Sequence, residues 1–395
     1  MEDKQKKKML ITASTFPRWD GDTEPRFILD YAQAMTKYYD VTVLAPAAIG
    51  AKDEECIGEI KVIRYHYFPI HRWETLCYPG AIVPRIKQKK VRVLLVLPLL
   101  YSLRKKIKRI SSKYDIVHAH WLIPQGIIMT GLKVPYILTG HGGDISSLNI
   151  GVMKKWKLRC MEQAESVVVV SKYKQEELQT FYPEVKSTII SMGVNLNLFN
   201  RDIYYTADFF QQGDKKVILF VGRLAEIKGV NYLIDAMKYL QNVKLIIVGD
   251  GPEKEKLYQQ AKNISDEIVF MGSKTHEELK TIYSSADVLV VPSIVDNKGA
   301  QEGLPTVIME AFAAKIPVVA TSTGGVPDVI KNNVTGMLIK EKSTQEIVNA
   351  IKKLLSDKDL YKSIVDEAYK YAQKYDYAEV AKRYYGLIEG EYIDE

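Results

Sequence analysis

The chain predicts a doubly wound α/β fold, built twice. Three observations carry that expectation. Short apolar runs rich in β-branched residues recur along all 395 residues, and helix-length stretches separate them. Within the runs apolar residues are continuous, as in strands buried on both faces, which means parallel sheets covered by helices. The length is also too great for one core and suits two domains.

The runs of the first half are Met9–Ile11, Val41–Leu44, Ile60–Ile63, Ile116–Val117, Tyr136–Leu138, Val167–Val170 and Thr188–Ile190. Those of the second are Val217–Val221, Lys244–Val248, Ile268–Phe270, Val288–Val291 and Val318–Ala320. Asn195–Asn200 closes the first half, and polar Gln211–Asp214 precedes the next strand, so the break is expected between Asn195 and Asp214. The expected domains are 1–200, 214–370 and a terminal helical piece, 371–395, rich in Tyr and charge.

Composition is that of a soluble globular protein. Three scattered cysteines, Cys56, Cys77 and Cys160, show neither a disulfide framework nor metal spacing, which fits a reducing cytoplasm. The start, Met1–Lys8, is basic but lacks the long apolar core of a signal peptide. The net charge of +7 is uneven: Pro84–Lys113 holds eleven Lys and Arg and no acid. Inside it, Val93–Leu100 is far too short to span a bilayer. The stretch reads either as a buried helix with solvated basic flanks or as a segment lying on an anionic membrane surface. Nucleic acid is not expected, since interleaved aromatics and a recognised binding module are lacking.

The most informative segment is Glu302-Gly303-Leu304-Pro305-Thr306-Val307-Ile308-Met309-Glu310. Pro305 suits the first turn of a helix, where its missing N–H costs nothing. The amides of Leu304, Thr306 and Val307 then face outward as an anion site. Carboxylates on both sides of a phosphate cradle match a nucleotide-sugar, which has hydroxyls at both ends and a pyrophosphate between. The plainer reading makes Glu302 a loop carboxylate and Glu310 a solvent-facing helix residue.

Upstream, Lys216–Val221 runs into Gly222-Arg223-Leu224-Ala225-Glu226-Ile227-Lys228-Gly229. Val248-Gly249-Asp250-Gly251-Pro252, Gly272, Gly324-Gly325-Val326-Pro327 and His141-Gly142-Gly143-Asp144 complete the set. In order and spacing these pieces resemble family 4 of the retaining glycosyltransferases, over most of the chain and most densely from Lys216 to Lys340. The resemblance implies two facing Rossmann-like domains of the GT-B type, with a final helix from about Tyr371 crossing back to the first. It also implies an acceptor-binding first domain and a nucleotide-sugar-binding second domain.

The resemblance assigns Arg223 and Lys228 to the pyrophosphate, Glu310 to the ribose hydroxyls and Glu302 to hydroxyls of the donor sugar. Cations beside a helix N-terminus can replace a metal ion in holding a departing diphosphate. Gly249 and Gly251 form a tight turn lining the nucleotide site and not a dinucleotide fingerprint, because Lys254 stands at its third glycine. The base is expected near Gly272, Ser273 and Lys274. His141 is placed near the donor sugar, in a turn whose helix Asp144 would cap. Catalysis is therefore expected from Glu302, His141, Arg223 and Lys228, and donor binding also from Gly21, Gly249, Gly251, Ser273, Gly303, Leu304, Pro305, Thr306 and Glu310.

One departure from the family concerns the loop after the first strand, Phe16–Thr23, which carries Gly21 in place of a glycine pair. Asp20-Gly21-Asp22 also spells the acidic triplet of metal-dependent glycosyltransferases of another fold, but its place directly after the first strand argues against that role. His118 and His120 share a strand face, yet carboxylate or cysteine ligands are not evident beside them, so no metal is expected. The expected enzyme is a metal-independent hexosyltransferase without a cofactor, the UDP- or GDP-sugar being co-substrate. A glycan or lipid-linked acceptor and an anionic membrane surface are its other partners, at the cytoplasmic face. The rival readings are a nucleotide-sugar epimerase and a catalytically silent nucleotide-sugar-binding subunit.

Overall fold

In a computed structural model describing residues 6–392 apart from 207–208, 211–212, 297–298 and 300, the strands gather into two sheets, each the centre of its own unit. Met1–Ser191 with Tyr377–Glu395 forms the first unit and Met192–Asp376 the second.

The first sheet contains β1 (Lys8–Thr12), β2 (Asp40–Pro46), β3 (Glu54–Ile57), β4 (Ile60–Tyr65), β5 (Ile116–His120), β6 (Tyr136–Gly140), β7 (Ser166–Val169) and β8 (Thr188–Ile189). Their order is β3-β4-β2-β1-β5-β6-β7-β8. Every pairing is parallel except β3 with β4, joined by a two-residue turn at Gly58-Glu59. That hairpin departs from the all-parallel expectation. Glu54 and Glu55 are charged and Cys56 is exposed, and an edge strand facing water needs no continuous apolar run. Side chains of the inner strands alternate between two cores: Leu10 and Val117 enter one, Met9 and Ile11 the other.

The second sheet contains β9 (Lys216–Val221), β10 (Val243–Val248), β11 (Ile268–Gly272), β12 (Val288–Val291), β13 (Val318–Thr321) and β14 (Met337–Ile339), in the order β11-β10-β9-β12-β13-β14. All its pairings are parallel. In each sheet the first strand sits centrally and the chain winds outward to one side before returning to the other. The order reverses between β1 and β5 in the first unit and between β9 and β12 in the second. Ligands of open parallel sheets bind beyond the carboxyl ends of strands at such switch points.

Two expected boundaries move. Val194, Phe199 and Phe210 lie in the core of the second unit, with Phe199 edge-on to Tyr283 at 5.2 Å. The first unit therefore ends at Ser191, before the Asn195–Asp214 interval. Tyr371 also stays with the second unit, edge-on to Phe312 and bonded through its hydroxyl to the Asp328 carbonyl at 3.3 Å. The helix that completes the first unit is Tyr377–Glu389. Its Tyr384 packs on Tyr31 and shares a hydrogen bond with Thr139 at 2.9 Å, Tyr385 stacks on Tyr38, and Glu389 pairs with Lys7 at 2.7 Å.

The basic stretch folds as a helix at Ile82–Gln88, a tighter turn at Lys90–Leu95 and a helix at Val96–Ile110. Leu99, Leu103 and Ile107, four residues apart, are buried in the core. Leu95 joins them, whereas a second set of apolar residues faces water. Leu94 is 70% exposed, Leu97 75% and Tyr101 69%, with Val91 and Val93 beside them. A buried helix explains only one face of this segment.

Candidate active site

At the switch point of the second unit, β9 and β12 deliver their following loops side by side. The loop after β9 reaches Lys228 through a short turn, Glu226–Lys228, that ends on Gly229 in the left-handed region. The Ile294 amide then bonds to the Ile227 carbonyl at 2.8 Å, tying the loop after β12 to it. Lys228 Nζ meets Glu302 Oε1 at 2.5 Å, and Ser293 Oγ donates to the other oxygen, Oε2, at 2.9 Å. Both charged partners are partly buried, so the pair is less screened than a surface one. The structure thus joins two residues expected to contact different parts of one ligand.

The next helix starts one residue later than expected. Pro305 has extended ψ and is the capping residue, and the helix runs Thr306–Ala313. The amides of Thr306 and Val307 precede its first backbone bond, from Ile308 to the Pro305 carbonyl at 3.2 Å. This leaves the anion-binding end that the segment predicts. Glu310, one turn further on, accepts from the Tyr283 hydroxyl at 2.7 Å. The loop entering the helix is propped from below: the Gly324 amide donates to Gln301 Oε1 at 2.9 Å, and the Gly325 amide to the Gly303 carbonyl at 2.5 Å.

Gly222, Gly249 and Gly272 follow β9 and β10 and end β11, linked by bonds from the Gly222 amide to Val248 O (3.0 Å) and from the Gly249 amide to Gly272 O (2.9 Å). A Cβ on Gly249 would lie 1.9 Å from the Gly222 carbonyl oxygen, so this close approach requires glycine. Gly251 lies against the Leu224 backbone, whose amide bonds to Asp250 O at 2.9 Å. Arg223 is exposed and has no ion-pair partner among the described residues. Ser273 is exposed after β11, and Lys274 is held by Glu278 at 2.9 Å within the capping box of the helix His276–Ser284.

In the first unit His141 follows β6. Its Nε2 meets His120 Nδ1 at 2.9 Å. His118, on the same strand face as His120, bonds Tyr31 at 2.8 Å and Thr139 at 2.8 Å. Asp144 lies inside the helix Gly143–Ser146 and does not cap it. Its carboxylate instead accepts from the amides of His141, Gly142 and Leu122, fixing the turn. Burial pushes His118 and His120 well below the ordinary histidine value and His141 down to about 4, although Asp144 opposes this at His141. All three rings are neutral near pH 7.

That neutrality makes acid stability predictable. Below about pH 6.5 an unfolded chain protonates these histidines while the folded one resists, His141 until about pH 4, so the unfolded state binds more protons and stability falls as pH falls. For His141 alone the difference is about 3 kcal/mol. The melting temperature is expected to drop between pH 6.5 and 4, and His120→Asn should flatten that slope. An unchanged slope would mean other groups govern it.

Gly21 sits in an exposed turn with φ +78°. The neighbouring Asp22 is buried, and its oxygens are taken by Arg18 at 2.6 and 2.8 Å and by the amides of Arg18 and Thr23. Burial opposes its ionisation, but these bonds prevail and hold the carboxyl below its usual range. Ser293, Tyr283 and Gln301 are site neighbours that the sequence does not single out, and His120, considered there only as a metal ligand, is the partner of His141. A polar residue two positions beyond a buried strand marks Ser293, and the others carry no comparable signal. No spacing in the sequence points to His66, His71 and Glu74, whose ligand atoms lie within 4.8 Å of one another.

Residues 206–371 match the family model described as glycosyl transferases group 1, and residues 25–198 match that described as glycosyltransferase family 4. The chain is 34% identical over 299 residues to the uncharacterized glycosyltransferase MJ1607 of Methanocaldococcus jannaschii, covering 69% of this chain and 74% of that protein. It is 28% identical over 273 residues to the GDP-mannose-dependent alpha-(1-6)-phosphatidylinositol monomannoside mannosyltransferase of Mycobacterium tuberculosis, covering 64% and 70%. Among solved structures, Anabaena Alr3699/HepE in complex with UDP-glucose superimposes with a TM-score of 0.72 at 20% identity, covering 97% of this chain and all of that one (100%). Two doubly wound units of this topology have the GT-B architecture, and the family matches together with MJ1607 make the chain a sugar-transferring enzyme. The chain belongs to the family 4 type of glycosyltransferases.

Proposed function

We propose that the enzyme moves a hexose from a UDP- or GDP-sugar to a hydroxyl acceptor with retention, giving an α-linked product, in lipid-linked or cell-surface glycan synthesis. The observation that carries the proposal is the Lys228–Glu302–Ser293 cluster at the β9/β12 switch point, next to the free amides of the Thr306–Ala313 helix. The diphosphate sits at that helix end, held by Arg223 and by Lys228 once a donor draws the lysine from Glu302. Glu302 then accepts from hydroxyls of the donor sugar and Glu310 from the ribose. A neutral His141 offers a hydrogen bond and not a positive charge. Catalysis is electrostatic stabilisation of the departing diphosphate with positioning. Support comes from the UDP-glucose complex of HepE and the GDP-mannose dependence in the mycobacterial enzyme's name.

No metal is needed for this chemistry, because the cations and the helix end supply the positive potential, and Asp22 is committed to Arg18. The test is a screen of nucleotide-sugars for thermal protection, then turnover with the protective donor in EDTA. Activity lost in EDTA, restored by Mn²⁺ and absent in Asp20→Asn would transfer the role to a metal.

We place the enzyme at the cytoplasmic face of an anionic membrane, where its lipid-linked acceptor resides. No helix among the described residues is long and apolar enough to cross a bilayer. The supporting observation is the exposed set Val91, Val93, Leu94, Leu97 and Tyr101, flanked by exposed Lys87, Lys89, Lys90, Lys105, Lys108 and Arg109. Arg92 and Arg104 are excluded from the basic set, since the first bonds Thr75 and Arg85 and the second the carbonyls of Ile128 and Thr130. Each surface cation contributes about 1 kcal/mol toward anionic lipid, and salt screens it. Flotation with anionic vesicles is expected to fall with salt and with Lys105→Gln, Lys108→Gln and Arg109→Gln together, and to weaken with Leu94→Ser and Leu97→Ser. Equal recovery with neutral vesicles, or none with either, would favour a soluble acceptor.

A further inference from the structure

We infer that the loop leaving β4 is a transition-metal site of the zinc class, with His66, His71 and Glu74 as ligands and Asp53 behind them. Ligand atoms of the three residues lie within 4.8 Å of one another, close enough to surround one ion. Glu74 is buried, and its Oε1 is pinned by the amides of Tyr67 at 2.5 Å and Phe68 at 3.0 Å. The other oxygen, Oε2, is thereby aimed at His66 Nδ1, 2.7 Å away. On the far side of the same ring, His66 Nε2 lies 3.0 Å from Asp53 Oδ1. A carboxylate on the outer nitrogen is the arrangement that orients a metal-binding imidazole and leaves its inner nitrogen as the donor.

His71 completes the set. It is exposed on the single turn His71–Trp73 and stacks on His66 with centroids 3.5 Å apart and planes 9° from parallel. An ion lies in the plane of each imidazole that binds it, so loading swings His71 out of the stack and turns its nitrogen toward Glu74 Oε2. Two imidazoles and one carboxylate suit zinc and its neighbours, whereas calcium and magnesium take oxygen ligands. A water fills the fourth position. The ion acts as a clip: it ties the β3–β4 hairpin, through Asp53 and His66, to the loop that leads into the exposed apolar segment from Ile82 onward. This site stands apart from the sugar-transfer reading, and its test reads binding and melting, not turnover.

Full-length protein freed of metal with a chelator and titrated with zinc chloride is expected to bind one ion per chain in calorimetry, with a rise in melting temperature. Cobalt should give the visible absorption of a four-coordinate nitrogen-oxygen site. His71→Ala, at an exposed position, should abolish binding and the thermal rise while leaving the metal-free melting temperature unchanged. Asp53→Asn, also exposed, should weaken binding about tenfold or more through the loss of ring orientation. Absence of zinc uptake by the wild type overturns the site, as does uptake unchanged in His71→Ala. Equal stabilisation by magnesium or calcium would overturn the nitrogen ligands.

Discussion

Glu302→Gln is expected to lose about a hundredfold in turnover while binding free UDP or GDP as tightly as the wild type, or more tightly. The reason is the 2.5 Å pair with Lys228. Without donor, the carboxylate competes for the lysine that the diphosphate needs, and glutamine removes that competition. Free nucleotide carries no sugar hydroxyls, so it loses nothing when Glu302 changes. Glu310→Gln and Arg223→Ala should behave oppositely, weakening free nucleotide by about 1.5–3 kcal/mol through the ribose and the diphosphate respectively. Calorimetry with UDP and GDP, alongside steady-state rates, separates the two patterns. Loss of nucleotide binding in Glu302→Gln would mean the two acids have exchanged roles.

Gly324→Ala is expected to be as damaging, by a purely steric route. Gly324 has φ +54°, and a Cβ there would stand 1.9 Å from the Glu302 carbonyl oxygen and 3.3 Å from that of Gly303. Backbone cannot rotate away as a side-chain tip can, so the loop carrying Glu302 must move. Strain in the left-handed region and displacement of packed backbone together cost about 3 kcal/mol or more. The variant should melt several degrees lower and lose turnover even where it remains folded. Gly131→Ala is the control: its φ is +73°, but open space surrounds the added atom, so only the conformational strain remains, about 1 kcal/mol. Equal effects from the two substitutions would leave the close approach at Glu302 without consequence.

The sheets were legible because burial on both faces demands continuous apolar residues, as in Val288–Val291. Where that demand lapses the signal does too: β3 is a polar edge strand, and β14, Met337–Ile339, has three residues. The site's membership was visible in the spacing of Gly222–Gly229 and Glu302–Glu310, but its internal partners were not. Lys228 reaches Glu302 from the loop after a different strand, and pairing across a parallel sheet leaves no local periodicity; Ser293 reaches it within one irregular loop, which has no period either. The same holds for His120 against His141, which come from β5 and from the turn after β6. His66 and Glu74 share one loop, but a contact eight residues apart in irregular backbone has no period to betray it. Phe199 misled the boundary because an apolar residue in a linker looks alike whichever core receives it. The basic segment needed the structure to show that Leu99 and Leu97, two residues apart, point to core and to water.

The Tyr377–Glu389 helix has a consequence for synthesis. It supplies Tyr377, Val380, Ala381 and Tyr384 to the core that also holds β1, so a strand packs against a helix made only after the whole second unit. A nascent chain on the ribosome can complete the second unit's sheet before the first unit has its final wall. Until then the faces of Tyr31 and Tyr39 that the helix covers remain open to chaperones and to other chains. A stop codon a few residues before Tyr377 would therefore cripple the amino-terminal unit while leaving the sheet beside the lesion intact, and proteolysis of such a product should begin far from where the message was cut short.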